Sequence, residues 1–126
     1  MDENQISRVI VRSAIEVHRT LGGPGLLESI YEEALVWELR QRGLEVERQK
    51  AVPIVYKGKA LAVPLRLDLL VEGKVIVECK AISQYNTIFE VQTLTYLRLT
   101  GCKLGLVVNF GEKLVKDGIH RVVNNL

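Results

Sequence analysis

The chain has 126 residues, 17 lysines and arginines against 15 acids, and 48% apolar residues. That is enough for one domain with its own core, expected over residues 1–126, and too few apolar residues in any one run (about 18 are needed) for a membrane span. The net charge of +2 neither requires nor excludes nucleic acid, and two cysteines make no disulfide framework.

Residues 4–21 place Ile6, Val9, Ile10, Ala14, Val17 and Leu21 on one stripe, the spacing of an amphipathic helix. Gly22 to Gly25 stop it. A second helix is expected over 27–42, with Leu27, Ile30, Tyr31, Ala34, Leu35 and Leu39 as its apolar face. Residues 47–56 read as a strand, Lys57-Gly58-Lys59 as a turn and 61–71 as a second strand, in which Pro64 argues for an edge or a bulge. Residues 75–81 are apolar enough for a central strand. A helix over 87–100, a buried strand over 104–110 and a short strand over 119–123 complete the order ααβββαββ. This is an α/β pattern: a mixed sheet flanked by helices, with a helical crossover between the third and fourth strands. The N-terminus, MDENQISRVIVRS, lacks the features of a signal peptide, so a cytoplasmic location is expected.

The chemistry concentrates in residues 65–81, LRLDLLVEGKVIVECKA. Alternate residues of a strand share a face, which groups Arg66 with Asp68 and Ile76 with Glu78 and Lys80. Whether the two sets meet depends on the turn. A two-residue loop at Glu72 and Gly73 would put Asp68 opposite Val77 and leave Glu78 on the other face. A three-residue loop, with Gly73 at positive φ, puts Asp68 opposite or diagonal to Glu78. Two carboxylates so close cost energy unless a proton or cation lies between them. Asp68 and Glu78 holding Mg²⁺ or Mn²⁺, with the Cys79 backbone carbonyl as a further oxygen ligand and Lys80 serving the attacking water, would make a metal-dependent phosphodiesterase. The competing reading is a hairpin with surface ion pairs, and an acid followed by E-x-K is common by chance.

Other groups fit either reading. Glu28 opens the second helix, where an acid gains about 0.3–1 kcal/mol from the helix dipole, or where it serves as a third metal carboxylate. Tyr31 lies one turn on, as a substrate contact or a packing residue. Gln92 and Tyr96 share a face of the third helix and can position phosphate or a base, or pack. His18 suits a helix C-terminus, or reaches toward Glu28. Arg66 can bind phosphate. His120 and Arg121 are weaker candidates. No P-loop, G-x-G-x-x-G, G-x-S-x-G or C-x-x-C motif is present.

These segments together resemble the GxxExxY protein family. The resemblance runs through Glu16-Val-His18, GLLESIY from Gly25 to Tyr31, the strand around Asp68, Glu78-Cys-Lys80-Ala, QTLTYL from Gln92, LGLVVNFG from Leu104 and IHRVVN from Ile119. It covers nearly the whole chain. It implies a PD-(D/E)xK, restriction-endonuclease-like core, Asp68 and Glu78 as metal ligands, Lys80 as the catalytic lysine and Glu28 as the helix-borne acid. Gln92 and Tyr96 resemble the Q-x-x-x-Y motif of RecB-type exonucleases. One departure stands out: family members often carry histidine three residues before the glutamine, and here that residue is Phe89. The resemblance implies a Mg²⁺- or Mn²⁺-dependent nuclease, acting on DNA in preference to RNA and possible as a homodimer. The alternatives are a nuclease-fold binding or scaffold protein without efficient chemistry, which the Phe89 departure and near-neutral charge favour slightly, and a small-molecule enzyme using the same carboxylates.

Overall fold

The computed structural model describes residues 1–126. Helix α1 (Glu3–Leu21) begins at a capping box, in which Asp2 accepts from the Gln5 amide while the Gln5 side chain accepts from the Asp2 amide. It ends at Gly22, whose left-handed backbone closes the last turn. Its stripe of Ile6, Ile10, Ala14 and Val17 is buried. Helix α2 (Glu28–Gln41) packs beside it and buries Tyr31, Leu35 and Leu39.

Five strands form one sheet in the order β1-β4-β5-β6-β7: β1 (Val46–Val52), β4 (Leu65–Val71), β5 (Val75–Lys80), β6 (Leu104–Asn109) and β7 (Ile119–Val123). Strands β5 and β6 are parallel and the other pairings are antiparallel. Helix α3 (Ile88–Thr100) makes the crossover between the parallel pair, as the pattern predicts, and β5 is the central strand. Helices α1 and α2 cover one face of the sheet with the larger core, and α3 covers the other with Leu97 at its centre. The result is the mixed α/β architecture of a restriction-endonuclease-like fold.

Two expected strands are shorter than their patterns. Pro53 breaks the predicted 47–56 strand, leaving Val55–Tyr56 as β2, which pairs with β3 (Lys59–Ala60) in a separate small hairpin. Lys57 and Gly58 both take positive φ in its two-residue turn. Strand β4 starts at Leu65, so Pro64 lies outside it, and the edge position argued from Pro64 is wrong: β4 runs between β1 and β5. A proline at the first step before a strand withdraws no ladder donor.

Two close fits hold α3 and the loop before it. The helix approaches the sheet at Gly105, where an added Cβ would lie 2.6 Å from the Thr93 methyl. At the end of β6 the buried Asn109 side chain clasps Ile82, accepting from its amide and donating to its carbonyl, both at 3.0 Å, and accepts from the Gly111 amide. This clasp fixes the chain leaving Lys80. Asn109→Ala strands those backbone groups, so it should cost about 1–3 kcal/mol in urea-induced unfolding.

Candidate active site

The turn between β4 and β5 decides where the carboxylates go. Glu72 and Gly73 both take positive φ, and the Lys74 amide donates to the Val71 carbonyl. Three residues thus lie outside the ladder, which pairs Val71 with Val75, Leu70 with Ile76 and Leu69 with Val77. This is the longer of the two loops open to the sequence, and it sets Asp68 opposite Glu78.

At that step side chains replace the backbone ladder. The Asp68 amide donates to Glu78 Oε2 at 2.9 Å, and the Cys79 amide donates to Asp68 Oδ2 at 2.9 Å. Each carboxylate is therefore oriented by a main-chain N–H of the opposite strand. The neighbouring strand is distorted at the same level. Its pairing with β4 omits Gln49 and Asp68, and Gln49 takes φ +52°. A non-glycine residue held there is strained, and such strain gathers at functional sites. The distortion also turns β4. Leu65 and Leu67 pack in the core under α3, whereas Leu69 and Val71 pack under α1 and α2.

Gln49 and Glu32 are site residues that the sequence patterns do not single out. The Gln49 amide donates to Glu32 Oε1 at 2.9 Å and, more weakly, to Asp68 Oδ1 at 3.4 Å. Arg48 Nε donates to Glu32 Oε2 at 2.7 Å. Glu32 is buried and lies one turn after Glu28 on the same face of α2, a spacing that is its only signal in the sequence. One oxygen each of Glu32 and Asp68 and the Cys79 sulfur lie within 4.8 Å of one another. Burial, followed by the surrounding carboxylates, pushes the Cys79 thiol well above its usual range, which keeps it a neutral thiol. The carboxylate oxygens of this group are the donors Mg²⁺ and Mn²⁺ prefer.

The electrostatics agree with that donor set. Burial first, and the Asp68 charge second, raise the Glu78 pKa to about 8. Glu28 is exposed, yet loss of water around its carboxyl raises its pKa, with Lys80 acting in the opposite direction. Tyr96 is held as a neutral hydroxyl by burial and by the Glu78 and Asp68 charges, with Gln92 beside it acting the other way. Glu28, Asp68, Glu78, Lys80 and Tyr96 thus share one electrostatic neighbourhood. Lys80 Nζ lies 4.5 Å from the centroid of the Phe89 ring, which is itself packed on Tyr85. Arg66 is exposed and donates to the Gln49 carbonyl at 3.0 Å, at the rim of the distortion.

Two expected substrate contacts are corrected. Tyr31 is fully buried: its hydroxyl donates to the Gly23 carbonyl at 2.6 Å and accepts from the Leu26 amide, while its ring stacks on Phe110 at 4.8 Å. It ties the glycine loop to the core and has no surface to offer a substrate. His18 is buried as well, its Nε2 3.1 Å from the Phe110 carbonyl, so Nε2 carries the proton donated there. It does not reach Glu28.

A family model of the PD-(D/E)XK nuclease superfamily matches residues 4–122. The chain belongs to that superfamily. No curated protein and no solved structure matches it. PD-(D/E)XK nucleases usually use divalent metals, and the carboxylate oxygens assembled here suit one. No helix of this member is long and apolar enough to cross a membrane.

The raised Glu78 pKa has a consequence for stability. Folding takes up a proton at Glu78 between pH 4.5 and about 8, so the carboxyl penalises the folded state increasingly as pH rises through that window. Glu78→Gln keeps an acceptor for the Asp68 amide and removes the charge. In metal-free buffer its melting temperature should match wild type near pH 4.5 and exceed it above pH 8. An equal difference at both pH values would contradict this origin.

Proposed function

We propose that this PD-(D/E)XK superfamily member is a Mg²⁺- or Mn²⁺-dependent nuclease that hydrolyses phosphodiester bonds of nucleic acid, with DNA preferred. The observation that carries the reading is the crossed bonding at this step, Asp68 N–H to the Glu78 carboxylate and Cys79 N–H to the Asp68 carboxylate, which aims two carboxylates together from the middle of the sheet with Lys80 on the strand of Glu78. The aspartate and the E-x-K of the superfamily's name read onto Asp68 and Glu78-Cys79-Lys80. Within the superfamily, the GLLESIY segment supports the narrower GxxExxY assignment.

In this reading Asp68 and Glu78 hold the ion. Glu28 supplies a further carboxylate from the start of α2. The Cys79 carbonyl supplies another oxygen, because the N–H and C=O of a strand residue point to the same side and the Cys79 amide points at Asp68. A bound divalent ion supplies Lewis-acid polarisation of the phosphate and neutralises charge. Glu32, pinned by Arg48 and Gln49, orients the acidic cluster from behind. Lys80 orients the attacking water and offsets the charge that develops on the phosphate oxygens. Gln92 and the neutral Tyr96 hydroxyl position the phosphate or a base, and Arg66 contacts phosphate at the rim. A chain this small leaves little surface for reading sequence, which favours backbone contacts and a homodimer.

A nuclease-fold binding protein is the second reading. Its support is Phe89, which stands where family members often carry a histidine and has the Lys80 ammonium over its ring.

The test combines binding with cleavage. Calorimetric titration of Mn²⁺ should give one site in wild type, weakened about tenfold or more in folded Asp68→Ala. Lys80→Ala should keep Mn²⁺ binding and lose cleavage of DNA by about 10²–10³-fold. Wild type that binds Mn²⁺ but cleaves neither single-stranded DNA, double-stranded DNA nor RNA would favour the binding protein.

A further inference from the structure

We infer that the outer face of α2 is where a second copy of this chain docks, helix against antiparallel helix, about a twofold axis at Trp37. The inference rests on this surface alone and not on the nuclease reading.

Trp37 is the only tryptophan of the chain, and it is 62% exposed in the middle of α2. Exposed Ile30 lies two turns before it on the same stripe, and Leu21 at the end of α1 is also open to solvent. Together with Ala34 and Val17 these residues line one cleft between the two helices. An indole surrounded by aliphatic side chains on a polar rim is the composition of an interface centre, and it is costly to leave in water.

The charges on the stripe choose the occupant. Glu33 stands four residues before Trp37 and Arg40 three residues after it, all on one face. Two α2 helices crossing antiparallel at Trp37 would set each Glu33 beside the partner's Arg40, twice. A parallel pair would set like charge on like charge. Neither group has a close ion pair within the chain: Arg48 stands at the outer edge of ion-pair range from Glu33, and Arg40 has no acid partner. The Glu33 side chain is 80% exposed, with Arg48 no closer than 3.9 Å, and Arg40 donates to the neutral Val46 carbonyl. By contrast Glu38 already pairs with Arg42 at the C-cap of the same helix. Ala34 leaves a hollow next to Trp37 for the partner's indole, and a twofold contact closes on itself without propagating. The acidic cluster stays clear: Glu32 projects about 140° round the helix from Trp37.

Sedimentation equilibrium of the full chain, with Trp37 emission followed on dilution, tests the pairing. The expected result is a concentration-dependent dimer whose emission shifts to that of a solvated indole as it dissociates. Glu33→Arg and Arg40→Glu should each weaken the dimer about tenfold or more, and the double exchange Glu33→Arg/Arg40→Glu should restore it. Trp37→Glu should give a folded monomer, checked by circular dichroism. A wild type that is monomeric at about 100 μM, a weak regime for any specific dimer, would overturn the proposal. So would a dimer in which the double exchange gives no rescue. Mn²⁺ titration of Trp37→Glu separates the two readings, since loss of pairing should leave metal binding unchanged.

Discussion

The site depends on one interruption of the β-ladder. Where Asp68 meets Glu78, each carboxylate takes the main-chain N–H that a backbone carbonyl would otherwise accept. Those bonds hold two acids side by side in a place where burial and mutual repulsion both oppose charge; these two effects outweigh the Asp68 N–H bond, which favours the carboxylate, so that Glu78 keeps its proton to about pH 8. The exchange also requires distortion. Gln49 takes a left-handed backbone, and β4 changes which core its side chains enter. The fold bears this cost beside β5 and β6, whose residues are almost all buried. Such strain makes sense if a cation relieves the repulsion it creates.

The rest of the molecule serves to hold that step in place. Helices α1 and α2 pack on one face, and Tyr31, through its hydroxyl and its stack on Phe110, fixes the loop from which α2 and its acids start. Glu28 and Glu32, one turn apart, then face the strands, with Glu32 clamped by Arg48 and Gln49. On the other face Asn109 fastens the chain after β5, and α3 approaches over Gly105. The aromatic group of Phe89, Tyr85 and His120 forms a shelf beside Lys80. Placement of the lysine over a ring is the feature that most distinguishes this site from a simple acid–base cluster.

Much of this is legible along the chain where short-range rules apply. The stripe of α1, the glycine stop at Gly22 and the apolar run of β5 follow from periodicity and backbone preference, and all appear in place. The Asp68–Glu78 pairing hangs on the β4–β5 turn, and the sequence narrows it to two registers without choosing. Pro53 and Pro64 show the limit of pattern. Both end strands that alternation alone would prolong, and Pro64 says nothing of the neighbours of β4, because strand order is set by packing. Tyr31 is a similar case: at its spacing from Glu28 a site role and a core role look alike, and only its buried hydroxyl separates them.

By itself the sequence determines the element order, the central strand, the helical crossover and the candidate acids and lysine, since each is encoded within a few residues by period, turn or residue type. The tertiary structure decides which of those groups share a site. Glu32 and Gln49 join it from segments 17 residues apart, Tyr31 and His18 leave it for the core, and Glu78 acquires its raised pKa. These outcomes depend on long-range contact and on the exclusion of water. Both properties belong to the packed chain and are not carried by any local stretch of it.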